Sequence, residues 1–167
     1  MKTLYLVRHA KSYKENIGPE LLDIDRPLNN RGYGNAYFMS ALLKEKKLIP
    51  DLIISSPAVR ALSTALIFAR ALNYSSDKIN VIEIIYHGKA EDYRKSAQNS
   101  DDMYRSVMIF GHNPEINSAA NLLSDISVEH FPTTGIICFE FPIKHWKELT
   151  PGLKGELKFF DFPKKHI

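Results

Sequence analysis

Leu4-Tyr5-Leu6-Val7, a short apolar run, leads directly into Arg8-His9-Ala10-Lys11. A strand end is a rigid mount for an imidazole, and an adjacent guanidinium is the natural partner for a phosphoryl group arriving there. A neutral imidazole nitrogen can attack phosphorus near neutral pH, giving a phosphohistidine that water then hydrolyses. His9 is therefore the candidate nucleophile. Three distant segments add to it: Ser55-Ser56-Pro57-Ala58-Val59-Arg60-Ala61, Gly111-His112-Asn113-Pro114, and Asp25-Arg26-Pro27-Leu28 with Gly32 just beyond. Arg8 would place its guanidinium on the phosphoryl oxygens. Arg60, read as about one turn into a helix whose N-terminus faces the site, would act alongside the helix dipole. His112 sits between a glycine turn and a helix start, placed to hydrogen-bond the transferring group. Arg26 follows a turn-rich loop and precedes a rigid proline, from which it could reach over the same pocket. Asn113 is read as a helix cap and Lys11 as a surface lysine.

These residues need a scaffold, and strand and helix signals alternate along the chain. Leu4–Val7, Leu52–Ile54, Val81–Ile85 and Val107–Phe110 read as strands, the first as a continuous apolar run of the kind covered on both faces. Residues 11 to 30 are polar and turn-rich, with Gly18-Pro19 and Asn29-Asn30. Helical spacing of Ala36, Met39, Leu42 and Leu43 marks a helix from Arg31 to about Lys46. Ser56-Pro57 and Asn113-Pro114 both read as a capping side chain followed by proline at the first helical position. Residues 90 to 105 suggest a short polar helix and its turn. Ile136–Phe141 and Leu157–Phe162 suggest two closing strands, paired antiparallel across a turn near Pro151-Gly152. The expected architecture is α/β: a three-layer αβα sandwich with a mainly parallel central sheet and an antiparallel closing strand, in a single domain over residues 1–167. In open sheets of this kind ligands collect outside the carboxyl ends of the strands. His9, Ser55-Ser56 and His112 each follow an apolar strand, so they should converge on one crevice.

Bulk properties narrow the function classes. With 44% hydrophobic and 25% charged residues, the 167-residue chain can build an ordinary core, which argues against wholesale disorder. A net charge of +3 without a dense basic stripe argues against nucleic acid as partner. The first residues are too briefly apolar for a signal-peptide core, and no run reaches membrane-spanning length, so a cytoplasmic protein without a membrane partner is expected. Cys138 alone cannot form an intrachain disulfide or a cysteine zinc site; it reads as a small core residue. His9 and His112 sit among arginines, which repel a cation, so no metal and no cofactor is expected. His87, His130, His145 and His166 lack a comparable setting and read as surface residues. Phe131-Pro132-Thr133-Thr134 beside His130 could wall the pocket.

With these residues in hand, the chain resembles the histidine phosphatase superfamily, of phosphoglycerate mutase-like fold, and within it the small SixA-type phosphohistidine phosphatases. The resemblance runs from Leu4 to about Gly135 and is carried by Arg8-His9-Ala10-Lys11-Ser12, Asp25-Arg26-Pro27-Leu28, Ser56-Pro57 with Arg60-Ala61 and Thr64, His112-Asn113-Pro114, and Phe131-Pro132-Thr133. It implies that His9 is the phosphorylated histidine, that Arg8, Arg60 and His112 complete the phosphate pocket, and that Arg26 borders it.

One departure is informative. Mutases and many acid phosphatases of the superfamily carry a carboxylic acid that protonates the leaving oxygen, and a long insertion over the site. Here the corresponding interval, Ile85 to Ser106, is short, and its Glu91, Asp92, Asp101 and Asp102 look like surface helix. An alkoxide needs that proton, whereas an imidazole leaves easily, so the pattern fits phosphohistidine chemistry. A short insertion also leaves room for a histidine presented on another protein. A carboxylate such as Asp25 could still swing in, and an open pocket also admits small phosphates. The leading expectation is a metal-independent phosphatase for phosphohistidine on a partner protein. A small-molecule phosphoester phosphatase and a non-catalytic phosphate-binding regulatory module stay open, and a mutase fits least. Oligomeric state is not legible.

Overall fold

The computed structural model describes residues 1–14 and 20–167; the expected Gly18-Pro19 turn lies outside them. Six strands form one sheet in the order β3-β2-β4-β1-β5-β6. They are β1 (Lys2–Arg8), β2 (Leu52–Ser55), β3 (Asn80–Val81), β4 (Ser106–Gly111), β5 (Ile136–Phe141) and β6 (Glu156–Asp161). β3, β2, β4 and β1 run parallel, while β5 is antiparallel to both β1 and β6. The α/β sandwich expected from the sequence is present.

Alternation along the central strands explains the three layers. Leu4, Leu6, Val107 and Ile109 point to one face, where α4 (Ala90–Gln98) and α5 (Glu115–Leu122) contribute Tyr93, Ala97, Ile116 and Ala119. Tyr5, Val7, Met108 and Phe110 point to the other, against Ala36, Met39, Ala65 and Phe68 of α1 (Asn30–Glu45) and α2 (Val59–Ala71). Because side chains alternate with a period of two, a strand buried on both sides must be apolar throughout, as β1 and β4 nearly are. Cys138 is buried in the second core. Among the described residues, no helix is long and apolar enough to cross a membrane.

Three local readings change. The apolar run Val81–Ile85 is not a strand: β3 stops at Val81, and Ile84–His87 forms a helical turn, α3. Ile82 and Ile85, three residues apart, pack on the same core, a spacing that suits a turn of helix better than a strand. Pro57 does not open α2. The helix starts at Val59 behind Ala58, which makes Arg60 its second residue rather than one a full turn inside. Asn113 does not cap α5; Pro114 holds that position, and the Asn113 amide instead donates to the Phe131 carbonyl at 3.1 Å.

The loop after His9 is fixed against α1. Asn29 caps this helix by accepting from the Gly32 N–H at 2.9 Å, and its own N–H donates to the Lys11 carbonyl at 3.0 Å. A Cβ on Gly32 would lie 2.0 Å from that carbonyl oxygen, whereas one on Gly34 would meet nothing within 4 Å. Gly32→Ala should therefore cost about 1–3 kcal/mol through overpacking against backbone. Gly34→Ala, in the same helix, should be neutral or stabilising by up to about 1 kcal/mol. Thermal or urea melts of the pair check the contrast; equal melting of the two variants would contradict it.

Candidate active site

The strand register builds the histidine pair. β1 and β4 are parallel neighbours with Arg8 opposite Gly111, so the residues that follow, His9 and His112, leave the sheet side by side. The His9 N–H donates to the Gly111 carbonyl at 3.0 Å, and the two imidazole centroids lie 5.3 Å apart. β2 ends one strand further, where the Ser56 N–H donates to the Phe110 carbonyl at 3.1 Å. The convergence expected at the carboxyl ends of the strands is what the backbone produces.

Hydrogen bonds fix how each ring can act. His9 Nδ1 lies 2.7 Å from the Ala10 carbonyl oxygen, which can only accept, so Nδ1 carries the proton and Nε2 keeps its lone pair. His112 Nε2 lies 2.7 Å from Ser56 Oγ, which also accepts from the Ala58 N–H at 3.1 Å. With that N–H on the oxygen, the hydroxyl proton serves Nε2, and His112 Nδ1–H becomes a donor. Burial drives the His9 pKa down to about 3 and that of His112 to about 4, and the nearby arginines push both the same way. Both rings are neutral at physiological pH.

Guanidinium groups surround them. Arg60 is 5% exposed, beside the N-terminus of α2, and donates to the Asp23 carbonyl at 2.7 Å and to Asp23 Oδ2 at 3.1 Å. Arg8 donates to the Phe131 carbonyl at 2.8 Å; burial and then Arg60 lower its pKa. Arg26 binds Asp23 Oδ1 through Nε at 2.9 Å and the Tyr13 carbonyl at 2.7 Å, so Asp23 bridges Arg26 to Arg60. Tyr86 of α3 donates to Asp23 Oδ2 at 2.7 Å, and its ring lies edge-on to His112. Although partial burial opposes ionisation, the Tyr86, Arg26 and Arg60 hydrogen bonds lower the Asp23 pKa to about 2.

A further observation points to an anion. Among the described residues, the buried side-chain atoms without a hydrogen-bond partner are Arg8 Nε, Arg60 Nε, His112 Nδ1, Asn113 Oδ1 and Thr134 Oγ1. All sit in or beside this site, and buried polar groups are otherwise almost always paired. Four of the five can donate. A tetrahedral oxyanion is the kind of group that satisfies several converging donors at once.

The sequence model of the histidine phosphatase superfamily (branch 1) matches residues 4–105, more than half of the chain. The chain belongs to the histidine phosphatase superfamily. Its fold is also that of a structure from Agrobacterium tumefaciens bearing the name phosphohistidine phosphatase SixA, with 28% identity, a TM-score of 0.78, and coverage of 97% of this chain and 98% of that one. The protein histidine phosphatase SixA complexed with tungstate superposes with a TM-score of 0.82 over 98% of both chains, at 19% identity. An uncharacterized chloroplastic protein of Arabidopsis thaliana is 29% identical over 77% of this chain, which spans 62% of that protein's length. An uncharacterized protein of Mycobacterium tuberculosis is 27% identical over 92% of this chain and 98% of its own.

Within this superfamily member, the structure brings Arg8, His9, Arg60 and His112 together, with Arg26 tied in through Asp23. Lys11 is exposed, and so are His87, His130 and His145. Asp25, the carboxylate the sequence points to, and Asp23 are both exposed, but it is Asp23 that binds Arg26 and Arg60; its signal in the sequence is the spacing from Arg26, three residues across a 3₁₀ turn. Ser56, a helix cap by its sequence context, anchors His112. Thr64 locks the turn after His9, accepting from the Ala10 N–H at 3.0 Å and donating to the Arg60 carbonyl at 2.7 Å. Tyr93 Oη accepts from the His112 N–H at 3.0 Å, and a Cβ on Gly111 would lie 2.0 Å from that oxygen. No local pattern announces Tyr86 or Tyr93, because their reach depends on how α3 and α4 pack.

The depressed histidine pKa values have a signed consequence. Between about 3 and the ordinary value near 6.5, the unfolded chain binds protons at His9 and His112 that the folded chain does not. Acid therefore destabilises the fold across that window. In the free enzyme the acid limb of kcat/KM, corrected for substrate ionisation, should lie below about pH 5. A limb centred near 6.5 would contradict the neutral pair.

Proposed function

We propose that this superfamily member is a metal-independent phosphatase that hydrolyses phosphohistidine on a protein through a phosphoenzyme at His9. The observation that carries the reading is the state of His9: neutral, with Nδ1 committed to the Ala10 carbonyl and, among the described residues, no hydrogen bond at Nε2, between two guanidiniums and a second imidazole. In the first step the Nε2 lone pair forms a bond to phosphorus, the P–N bond to the substrate imidazole breaks, and that imidazole, already protonated on its other ring nitrogen, keeps the bonding pair and leaves as the neutral ring. In the second, water attacks phosphorus, the P–Nε2 bond breaks, and inorganic phosphate departs with His9 neutral again. Arg8, Arg60 and the His112 Nδ1–H hold the equatorial oxygens as charge shifts among them.

The acids support this substrate class. Asp23 is the carboxylate bound to the site's arginines, and its pKa near 2 leaves it ionised and unable to protonate an alkoxide. Glu91 pairs with Arg94, Asp92 accepts from the Lys89 N–H, and Asp102 accepts from the Trp146 N–H, all occupied away from the histidines. An imidazole leaving group has no such need. The SixA names of two structural neighbours, one of them 28% identical, support the same class. A phosphoester phosphatase remains the second reading, since the ionised Asp23 does not stop a substrate with an acidic leaving group.

Turnover of phosphoramidate in EDTA tests the chemistry. Wild type should keep its rate, phosphoramidate should outrun an aryl phosphate in kcat/KM, and His9→Ala should lose on the order of 10³-fold in kcat or more. Activity abolished by EDTA, or surviving in His9→Ala, would refute the proposal.

A further inference from the structure

Next to the phosphate pocket, and sharing Arg8 with it, lies an open cleft of about 950 Å³ that Lys11 also lines. Arg31 and Phe38 of α1 line one side; Phe160, Phe162 and Lys164 line the other. Among the described residues, no aspartate or glutamate side chain lines it. Among the described residues Lys11, Arg31 and Lys164 form no salt bridge, and Asp161 close by is already held by His166 at 2.8 Å. Phe38 is 42% exposed, an unusual setting for a phenylalanine on a helix. Among the described residues the cleft thus combines positive charge free of salt bridges with aromatic side chains, beginning beside Arg8 of the phosphate pocket.

We propose that this cleft binds an acidic segment of the polypeptide that carries the phosphohistidine, with its carboxylates against Arg31 and Lys164 and an apolar side chain on Phe38 and Phe160. The proposal rests on the phosphohistidine reading above and names what accompanies that group. His9 is 7% exposed, so a phosphohistidine must enter by its side chain while its backbone stays outside. That backbone has to lie across the mouth of the pocket, and this cleft is a concave, positively charged surface beside that mouth. Charge complementarity selects the occupant: an acidic stretch gains attraction on both banks, and a basic one meets repulsion at each.

The test compares two phosphohistidine peptides of equal length, one flanked by glutamates and one by lysines, on wild type, Arg31→Glu and Lys164→Glu. Phosphoramidate, which has no atoms beyond the phosphoryl group and its nitrogen, serves as the reference substrate in each protein. At low salt the acidic peptide should show a KM about tenfold lower on wild type, and the two charge reversals together should abolish that preference. The preference should shrink as ionic strength rises. Turnover of phosphoramidate should stay within about twofold in the variants, since exposed charges at this distance act weakly in water. Equal KM values for the two peptides, or a preference that survives both reversals, would overturn the cleft assignment and leave the phosphohistidine reading standing. Turnover of phosphoramidate or an aryl phosphate with neither peptide accepted would overturn both.

Discussion

Everything at this site depends on the parallel register of β1 with β4. Setting Arg8 opposite Gly111 sends two histidines, 103 residues apart in sequence, out of the sheet next to each other, and the His9 N–H to Gly111 carbonyl bond closes the pair. A slip of one residue would turn every side chain of β1 to the opposite face and expel Leu4 and Leu6 from one core into the other. Two apolar cores of different shape therefore enforce the geometry of a polar site. Gly111 has a second duty, since its missing side chain admits the Tyr93 hydroxyl that holds the His112 backbone.

Electrostatics at the site work against the fold and in favour of an anion. Two buried imidazoles lie among Arg8, Arg60 and Arg26, and desolvation together with positive neighbours keeps both rings neutral. Asp23 is the counterweight: one exposed carboxylate joins Arg26 to Arg60 and orients both. Several buried donors still lack partners among the described residues, a cost the rest of the structure must offset. A phosphoryl group would satisfy those donors and neutralise the guanidiniums together, so the same features that destabilise the free protein would favour the bound one.

The polar residues at strand ends were legible because their chemistry is local. Arg8-His9, Ser55-Ser56 and His112 each follow an apolar run, and topology alone predicts that strand ends meet. The three-layer sandwich was legible from the same alternation of apolar runs with helical spacing. What the sequence hid was set by packing. The Val81–Ile85 run reads equally well as strand or helical turn, and only the shared burial of Ile82 and Ile85 decides it. Ser56-Pro57 and Asn113-Pro114 look like helix caps, yet both polar side chains turn to the site's own framework, Ser56 to His112 and Asn113 to Phe131. Asp23 and Tyr86 come from separate segments and become partners through the fold, which no spacing rule anticipates.

The central claim is that His9 attacks through Nε2 because the Ala10 carbonyl holds its other nitrogen. Quenching the enzyme in base during turnover of a ³²P-labelled phosphoramidate, then mapping the label by digestion and mass spectrometry, addresses it directly. The account predicts an acid-labile, base-stable phosphate on His9, bonded at Nε2. Label on His112, label at His9 Nδ1, or full turnover with no labelled protein would contradict it.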